Sequence, residues 1–179
     1  MITLYDAARC PYCARVRIAL AEKRVAYEVV EIDLDDRPRW IYDKNPTGRV
    51  PVLEEDTLVL PESVVIMEYL DERYPEPALL PLDAAARALE RWRVHRFGAT
   101  LGDDYYAFRR GNDNDLPARL RELPVGELGW GFAAVAYVPW VVRARDMLGV
   151  GLPPHVEEWV RMCSERESVR AELDVIAAL

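Results

Sequence analysis

Up to Tyr74 the chain alternates short apolar runs with stretches of helical spacing, and that order leaves few folds open. Ile2–Tyr5 reads as a strand. Pro11–Arg24 reads as a helix, with Val16, Ile18, Ala19 and Leu20 at helical spacing. Its opening proline is tolerated because an N–H in the first turn has no intrahelical partner. Tyr27–Ile32 is a second strand and Arg37–Lys44 a short helical or irregular segment. Val50–Glu54 and Thr57–Leu60 read as strands joined by the polar turn Glu54-Glu55-Asp56. Ser63–Arg73, with Val64, Val65, Met67 and Leu70, reads as a helix packed on a sheet. Strand, helix, strand, helix, strand, strand, helix implies one mixed sheet covered by helices, an α/β domain. Pro75, Pro77 and Pro81 then mark a linker.

Beyond Asp83 the signals are helical. Asp83 is placed to cap the next helix by accepting backbone N–H bonds. Ala84–Phe108 is helical in pattern, with Gly98 and Gly102 expected to weaken or bend it. Gly111–Asp115 reads as a turn and Leu116–Leu123 as a short helix. Phe132–Leu148 is strongly apolar and reads as the central buried helix, with Pro139 expected to kink it. Gly149–Pro154 breaks the chain again, and His155–Cys163 and Glu167–Ile176 are helical. The expected organisation is an α/β domain over residues 1–76 and an all-α domain over residues 83–179.

Composition narrows the function classes. A chain of 179 residues, 51% of them apolar, can bury an ordinary core without disulfides or metals. The net charge of −8 argues against a nucleic-acid partner, which needs a basic face. The start, MITLYDAARC, lacks the charged and apolar regions of a signal peptide. No apolar stretch approaches the ~18 residues of a membrane span. Three cysteines form an odd, sparse set that suits a reducing compartment. The expectation is a cytoplasmic protein.

Cys10-Pro11-Tyr12-Cys13 sits where the first strand hands over to a helix. A helix N-terminus presents unpaired N–H groups and partial positive charge, which stabilise a thiolate. Such surroundings lower a thiol pKa from about 8.5 into the range of roughly 3.5 to 7.5. Arg9 and Arg15 add positive charge nearby. Cys10, at the exposed helix tip, is the candidate nucleophile, and Cys13, a turn deeper, the candidate resolving thiol. Two other readings compete. One is half of a zinc site, but His95 and His155 are isolated and supply no second ligand pair. The other is a pair of structural cysteines.

Further segments occur in order: Arg37-Pro38-Arg39-Trp40, then Asn45-Pro46-Thr47-Gly48-Arg49-Val50-Pro51-Val52-Leu53, then Leu60-Pro61-Glu62-Ser63. Together with Cys-Pro-Tyr-Cys they resemble the glutathione transferase family, in particular its omega class, and the glutaredoxins. The resemblance is carried from Ile2 to about Leu82. It extends more weakly into the helical half through Ala136-Tyr137-Val138-Pro139-Trp140 and Ser168-Val169-Arg170-Ala171. It implies a thioredoxin-like N-terminal domain followed by an all-α domain. It makes Pro51 the family's cis-proline, which leaves the Val50 backbone free to pair with the cysteinyl part of glutathione. It gives Glu62 and Ser63 the γ-glutamyl end and Arg37 the glycyl carboxylate, with Lys44 a looser candidate for the latter. Tyr105, Tyr106 and Arg109 match the wall of the second-substrate pocket. Tyr5 does not match the family's activating tyrosine and reads as core or pocket lining. Trp92, Trp130, Trp140 and Trp159 read as core anchors, and Cys163 as a packing thiol.

The resemblance also exposes departures. The helical half is short, with residues missing near Gly111–Gly131. The buried helix lacks the usual capping box, its places being taken by Gly131 and Ala134. The function implied is glutathione-dependent thiol transfer or reduction through Cys10, with glutathione as cosubstrate, no metal, and a small electrophile or disulfide as second substrate. Ordinary conjugation and a non-catalytic binding role are the alternatives. A homodimer is expected, with apolar Leu58–Leu60 on an edge strand and Leu89, Trp92 and Phe97 on the first long helix as surface to bury.

Overall fold

A computed structural model describes residues 1–112 and 115–179. The chain divides into two compact units, Met1–Pro77 with Ala177–Leu179, and Ala78–Ile176. The first contains β1 (Ile2–Asp6), α1 (Pro11–Glu22), β2 (Tyr27–Glu31), α2 (Ile41–Lys44), β3 (Val52–Glu55), β4 (Leu58–Pro61) and α3 (Ser63–Arg73). Its sheet runs β2-β1-β3-β4. β1 pairs parallel with β2 and antiparallel with β3, and β3 pairs antiparallel with β4. The mixed sheet follows from the connections. A helix carries the chain from β1 back to a parallel β2, whereas β3 and β4 are joined by a hairpin that forces antiparallel pairing.

The element order matches the sequence expectation, and the ends shift for local reasons. α1 stops at Glu22, and Arg24 turns left-handed at φ 55°. Asp56 does the same at the hairpin, φ 54°. α1 and α3 bury Val16, Ile18, Leu20, Ile66, Met67 and Leu70. A fully buried aliphatic side chain contributes about 1.5–3 kcal/mol relative to exposure, so these helices are held by packing. Lys23, buried beneath them, donates to Asp71 and to the Pro77 carbonyl.

The second unit is helical among its described residues: α4 (Ala84–His95), α5 (Asp103–Arg109), α6 (Leu116–Arg121), α7 (Phe132–Asp146), α8 (Pro154–Cys163) and α9 (Glu167–Ala177). The expected single helix over Ala84–Phe108 is broken. A π-helical turn, Gly98–Gly102, separates α4 from α5 where the two glycines sit. Of the expected turn Gly111–Asp115, residues 113 and 114 lie outside the described residues. Asp83 caps α4, accepting from the Ala86 N–H at 2.8 Å. α7 is the buried helix, covered from Phe132 to Ala144, and Pro139 sits inside it without ending it. Its start differs from a capping box. Glu90 of α4 reaches across to accept from the Ala133 N–H at 2.8 Å, and the Leu79 carbonyl accepts from the Phe132 N–H at 2.9 Å. Gly131 fits because a Cβ there would stand 3.1 Å from that carbonyl oxygen.

Candidate active site

Cys10 occupies the N-cap of α1, with extended backbone at φ −86° and ψ 116°. Its carbonyl accepts from the Ala14 N–H and its own N–H donates to the Ala7 carbonyl. The sulfur is not exposed as expected for a helix tip. Cys10 is 8% accessible and packs in an apolar cluster with Tyr5, Ala7, Cys13, Ile32, Ile41, Val50 and Val52. In the protonated form its thiol points at the Val50 carbonyl, 3.9 Å away. The Cys13 thiol, donating to Cys10, is the largest influence on it and lowers its pKa to about 7. Burial opposes this, the Cys13 and Tyr12 backbone N–H groups add to it, and the Asp6 charge works against it. Cys13, with no exposed surface, is pushed well above an ordinary thiol by burial and then by Cys10. Of the two, Cys10 is therefore the first to ionise, while Cys13 stays a neutral thiol beside it.

Two loops meet the cysteine end of α1. The Val50–Pro51 peptide is cis. Gly48, just before it, has φ 65° and lies against the Tyr42 ring, so a Cβ would come within 2.6 Å. The register Val52↔Pro61 sets this loop beside the start of α3. There Glu62, exposed and left-handed at φ 74°, precedes Ser63, which is buried. Arg15, almost wholly buried on α1, donates to the Ser63 hydroxyl at 3.4 Å and lies over the Tyr12 ring. The structure thus brings Cys10, Cys13, Val50 and Pro51 together and links Ser63 to the same helix through Arg15. Arg9, named alongside Arg15, instead pairs with Asp35 at 2.7 Å. Arg37 is exposed on the segment between β2 and α2. Lys44 is engaged with Glu54 at 2.6 Å and lies over the Tyr5 ring. Tyr5 donates to the same carboxylate and is pushed above an ordinary phenol, first by burial and then by Glu54.

The sequence reading missed a second arginine on α1. Arg17 donates through Nη1 to both Asp6 oxygens at 2.6 and 2.8 Å, and through Nη2 to the Ala8 carbonyl at 3.2 Å. The helical pattern marked α1 as having a buried side, but nothing local tells which charged residues fold back over its start.

In the second unit Tyr105 is buried, Tyr106 is half-buried with its ring edge-on to Tyr105, and Arg109 is exposed. Trp140 and Trp159 are core residues as expected. Trp92 is not: it is 53% exposed, with Arg96 stacked on it. Phe97, expected on the surface, is buried against Trp140 and Tyr137, and its ring lies over Gly102, where a Cβ would come within 2.7 Å of it. Trp130 is half-buried under Arg166. Cys163 is buried, which pushes its thiol up to about 12.

Residues 4–78 match the family model of the glutathione S-transferase N-terminal domain. Pyrimidodiazepine synthase of Drosophila melanogaster is 38% identical over 117 residues, 63% of this chain and 46% of that protein. Human glutathione S-transferase omega-2 is 40% identical over 98 residues, 54% of this chain and 40% of that one. The chain thus spans about half the length, or less, of these curated relatives. A rice glutathione transferase solved in complex with glutathione superposes with a TM-score of 0.82 at 28% identity, over 96% of this chain and 89% of that one. Domain match, relatives and fold all support a glutathione transferase family, omega-like, for this chain.

Proposed function

We propose that this protein is a cysteine-type glutathione transferase that carries out glutathione-dependent thiol transfer through Cys10. The observation that carries this reading is the Cys10 sulfur at the N-cap of α1, lowered to about 7 by the Cys13 thiol and facing the Val50 carbonyl beside a cis peptide bond. The Cys10 thiolate attacks the glutathione sulfur of a mixed disulfide. A Cys10–glutathione disulfide forms, and the substrate leaves as a thiolate that takes up a proton. The thiolate of a second glutathione then attacks that disulfide, giving oxidised glutathione and regenerating the Cys10 thiolate. Cys13, deep and protonated, serves as donor first and resolving thiol second.

In this reading residues 1–76 are the glutathione-binding domain and 83–179 the helical domain. The Val50 backbone pairs with the cysteinyl part of glutathione. The Ser63 hydroxyl and the N-terminus of α3 receive the γ-glutamyl carboxylate, Glu62 the amine, and Arg37 the glycyl carboxylate. Arg37 is preferred to Lys44 because Lys44 already has Glu54. Tyr106 and Arg109 offer surface to a second substrate, which covered Tyr105 does not. A cytoplasmic location suits a working thiolate.

Thiol-transfer assays on Cys10→Ser and Cys13→Ser test this. Cys10→Ser abolishes transfer and Cys13→Ser keeps much of it. Equal loss in both would mean dithiol exchange. Conjugation surviving in Cys10→Ser would mean a conjugating transferase, and no retention on immobilised glutathione a binding protein.

The chain is also proposed to work as a homodimer. β4 is a sheet edge carrying Leu58, Val59 and Leu60, and Leu89 and Trp92 of α4 are half exposed. Light scattering coupled to size exclusion gives twice the single-chain 20.5 kDa; 20.5 kDa itself refutes the dimer.

A further inference from the structure

We infer that Arg17 is a positioning residue for Cys10: it pins the β1–α1 loop and cancels a buried carboxylate that opposes the thiolate. The inference rests on the reading of Cys10 as the nucleophile.

Asp6 ends β1, four residues before Cys10, and is 6% exposed. A carboxylate so placed repels a thiolate, and its charge does raise both Cys10 and Cys13. Arg17, two turns into α1, folds back over the helix start. Its Nη1 is within 2.8 Å of both Asp6 oxygens, and it also donates to the Ala7 and Ala8 carbonyls at 3.5 and 3.2 Å. The Ala7 carbonyl is also the acceptor for the Cys10 N–H, at 2.9 Å. One guanidinium therefore grips the carboxylate and the backbone from which Cys10 hangs. A planar fork with parallel donors suits this task, and a lysine ammonium does not.

The charges around Cys10 leave the pair a distinct role. From α1 it meets the Cys13 thiol and the Tyr12 and Cys13 N–H groups, from β1 the Asp6 carboxylate, and from the loop before β3 the Val50 carbonyl. Its neighbour Arg9 pairs with Asp35 and also feels the Asp33 and Cys10 charges, but does not pair with Asp6. Compensation of Asp6 thus falls to Arg17.

The test is the pH dependence of iodoacetamide alkylation at Cys10, followed by peptide mass spectrometry. Arg17→Gln leaves Asp6 uncompensated and raises the midpoint by about one pH unit. Asp6→Asn removes the opposing charge and lowers it. Arg17→Lys restores charge without the fork and falls between Arg17→Gln and the native protein. The opposite signs separate the proposal from a packing role, since both variants break the clamp and loss of loop geometry alone would raise both midpoints. An unchanged midpoint in Arg17→Gln, or a rise in both variants, overturns it. Should Arg17→Gln fail to fold, Asp6→Asn decides: a lowered midpoint supports the clamp, and an unchanged or raised one overturns it. A native midpoint near 8.5 would instead overturn the reading of Cys10 itself.

Discussion

Cys10 and Cys13 carry the same group three residues apart, and their surroundings push them in opposite directions. Cys10 collects donors at the helix start, while Cys13, one turn in, is governed by burial and its Cys10 neighbour, with the Asp6 charge adding to the rise and a backbone hydrogen bond at Ala7 opposing it. Because the thiolate is the reactive form, a lowered pKa makes Cys10 reactive at lower pH. Its alkylation rate should rise between about pH 6 and 8, half-maximal near 7. Cys13→Ala removes the main donor and should move that midpoint up toward about 8.5, the value of a free thiol. Cys13→Ser keeps an O–H donor and should stay near the native value. Ser63 is tested by binding. Ser63→Ala should lower glutathione affinity about tenfold or more, since hydrogen bonds to charged groups contribute about 1.5–3 kcal/mol. Calorimetric titration with thermal melts decides the point, and unchanged affinity with a lowered melting temperature leaves Ser63 only a structural role. The pairing of nucleophile and helix start was legible in Cys10-Pro11-Tyr12-Cys13. That the sulfur would be covered was not, because the covering atoms come from Val50, forty positions away.

Helix starts show the same contrast at the scale of elements. The cap on α4 is local, Asp83 to the Ala86 N–H three residues on, and local caps can be read from spacing. The cap on α7 is Glu90, forty-three residues before the N–H it accepts from. Only the packing of α4 against α7 brings them together. Glu90→Ala should destabilise the protein by about 0.5–2 kcal/mol. In a chain of this size that lowers the melting temperature by about 2–4 °C per kcal/mol. Glu90→Gln, which keeps an acceptor, should lose less. A melt unchanged in Glu90→Ala would show that the Leu79 carbonyl and Gly131 suffice to start α7. The break between α4 and α5 was half legible: Gly98 and Gly102 marked a weak point, but not that it would become a π-helical turn, nor that Phe97 would be buried and Trp92 left outside.

At the scale of the molecule, the second unit holds an ion pair in its core. Arg143 of α7 and Glu172 of α9 are 2.5 Å apart, with 0% and 3% of their side chains exposed. Breaking one partner of such a pair leaves a buried charge and costs about 3–5 kcal/mol. Glu172→Ala should therefore unfold at markedly lower denaturant, as followed by circular dichroism, while the reverse loss of both charges to apolar residues should cost less. The sequence by itself determined the order of elements, the mixed sheet, the buried helix and the candidate nucleophile, because periodicity, proline and a thiol at a strand–helix junction act over a few residues. Tertiary structure alone decided the partners of the charges. Arg15 reaches Ser63, Arg17 grips Asp6, Lys44 meets Glu54, Glu90 caps α7 and Arg143 finds Glu172. A long charged side chain has many exposed positions of nearly equal energy. Which carboxylate it meets is fixed only when the packed elements remove water from all but one.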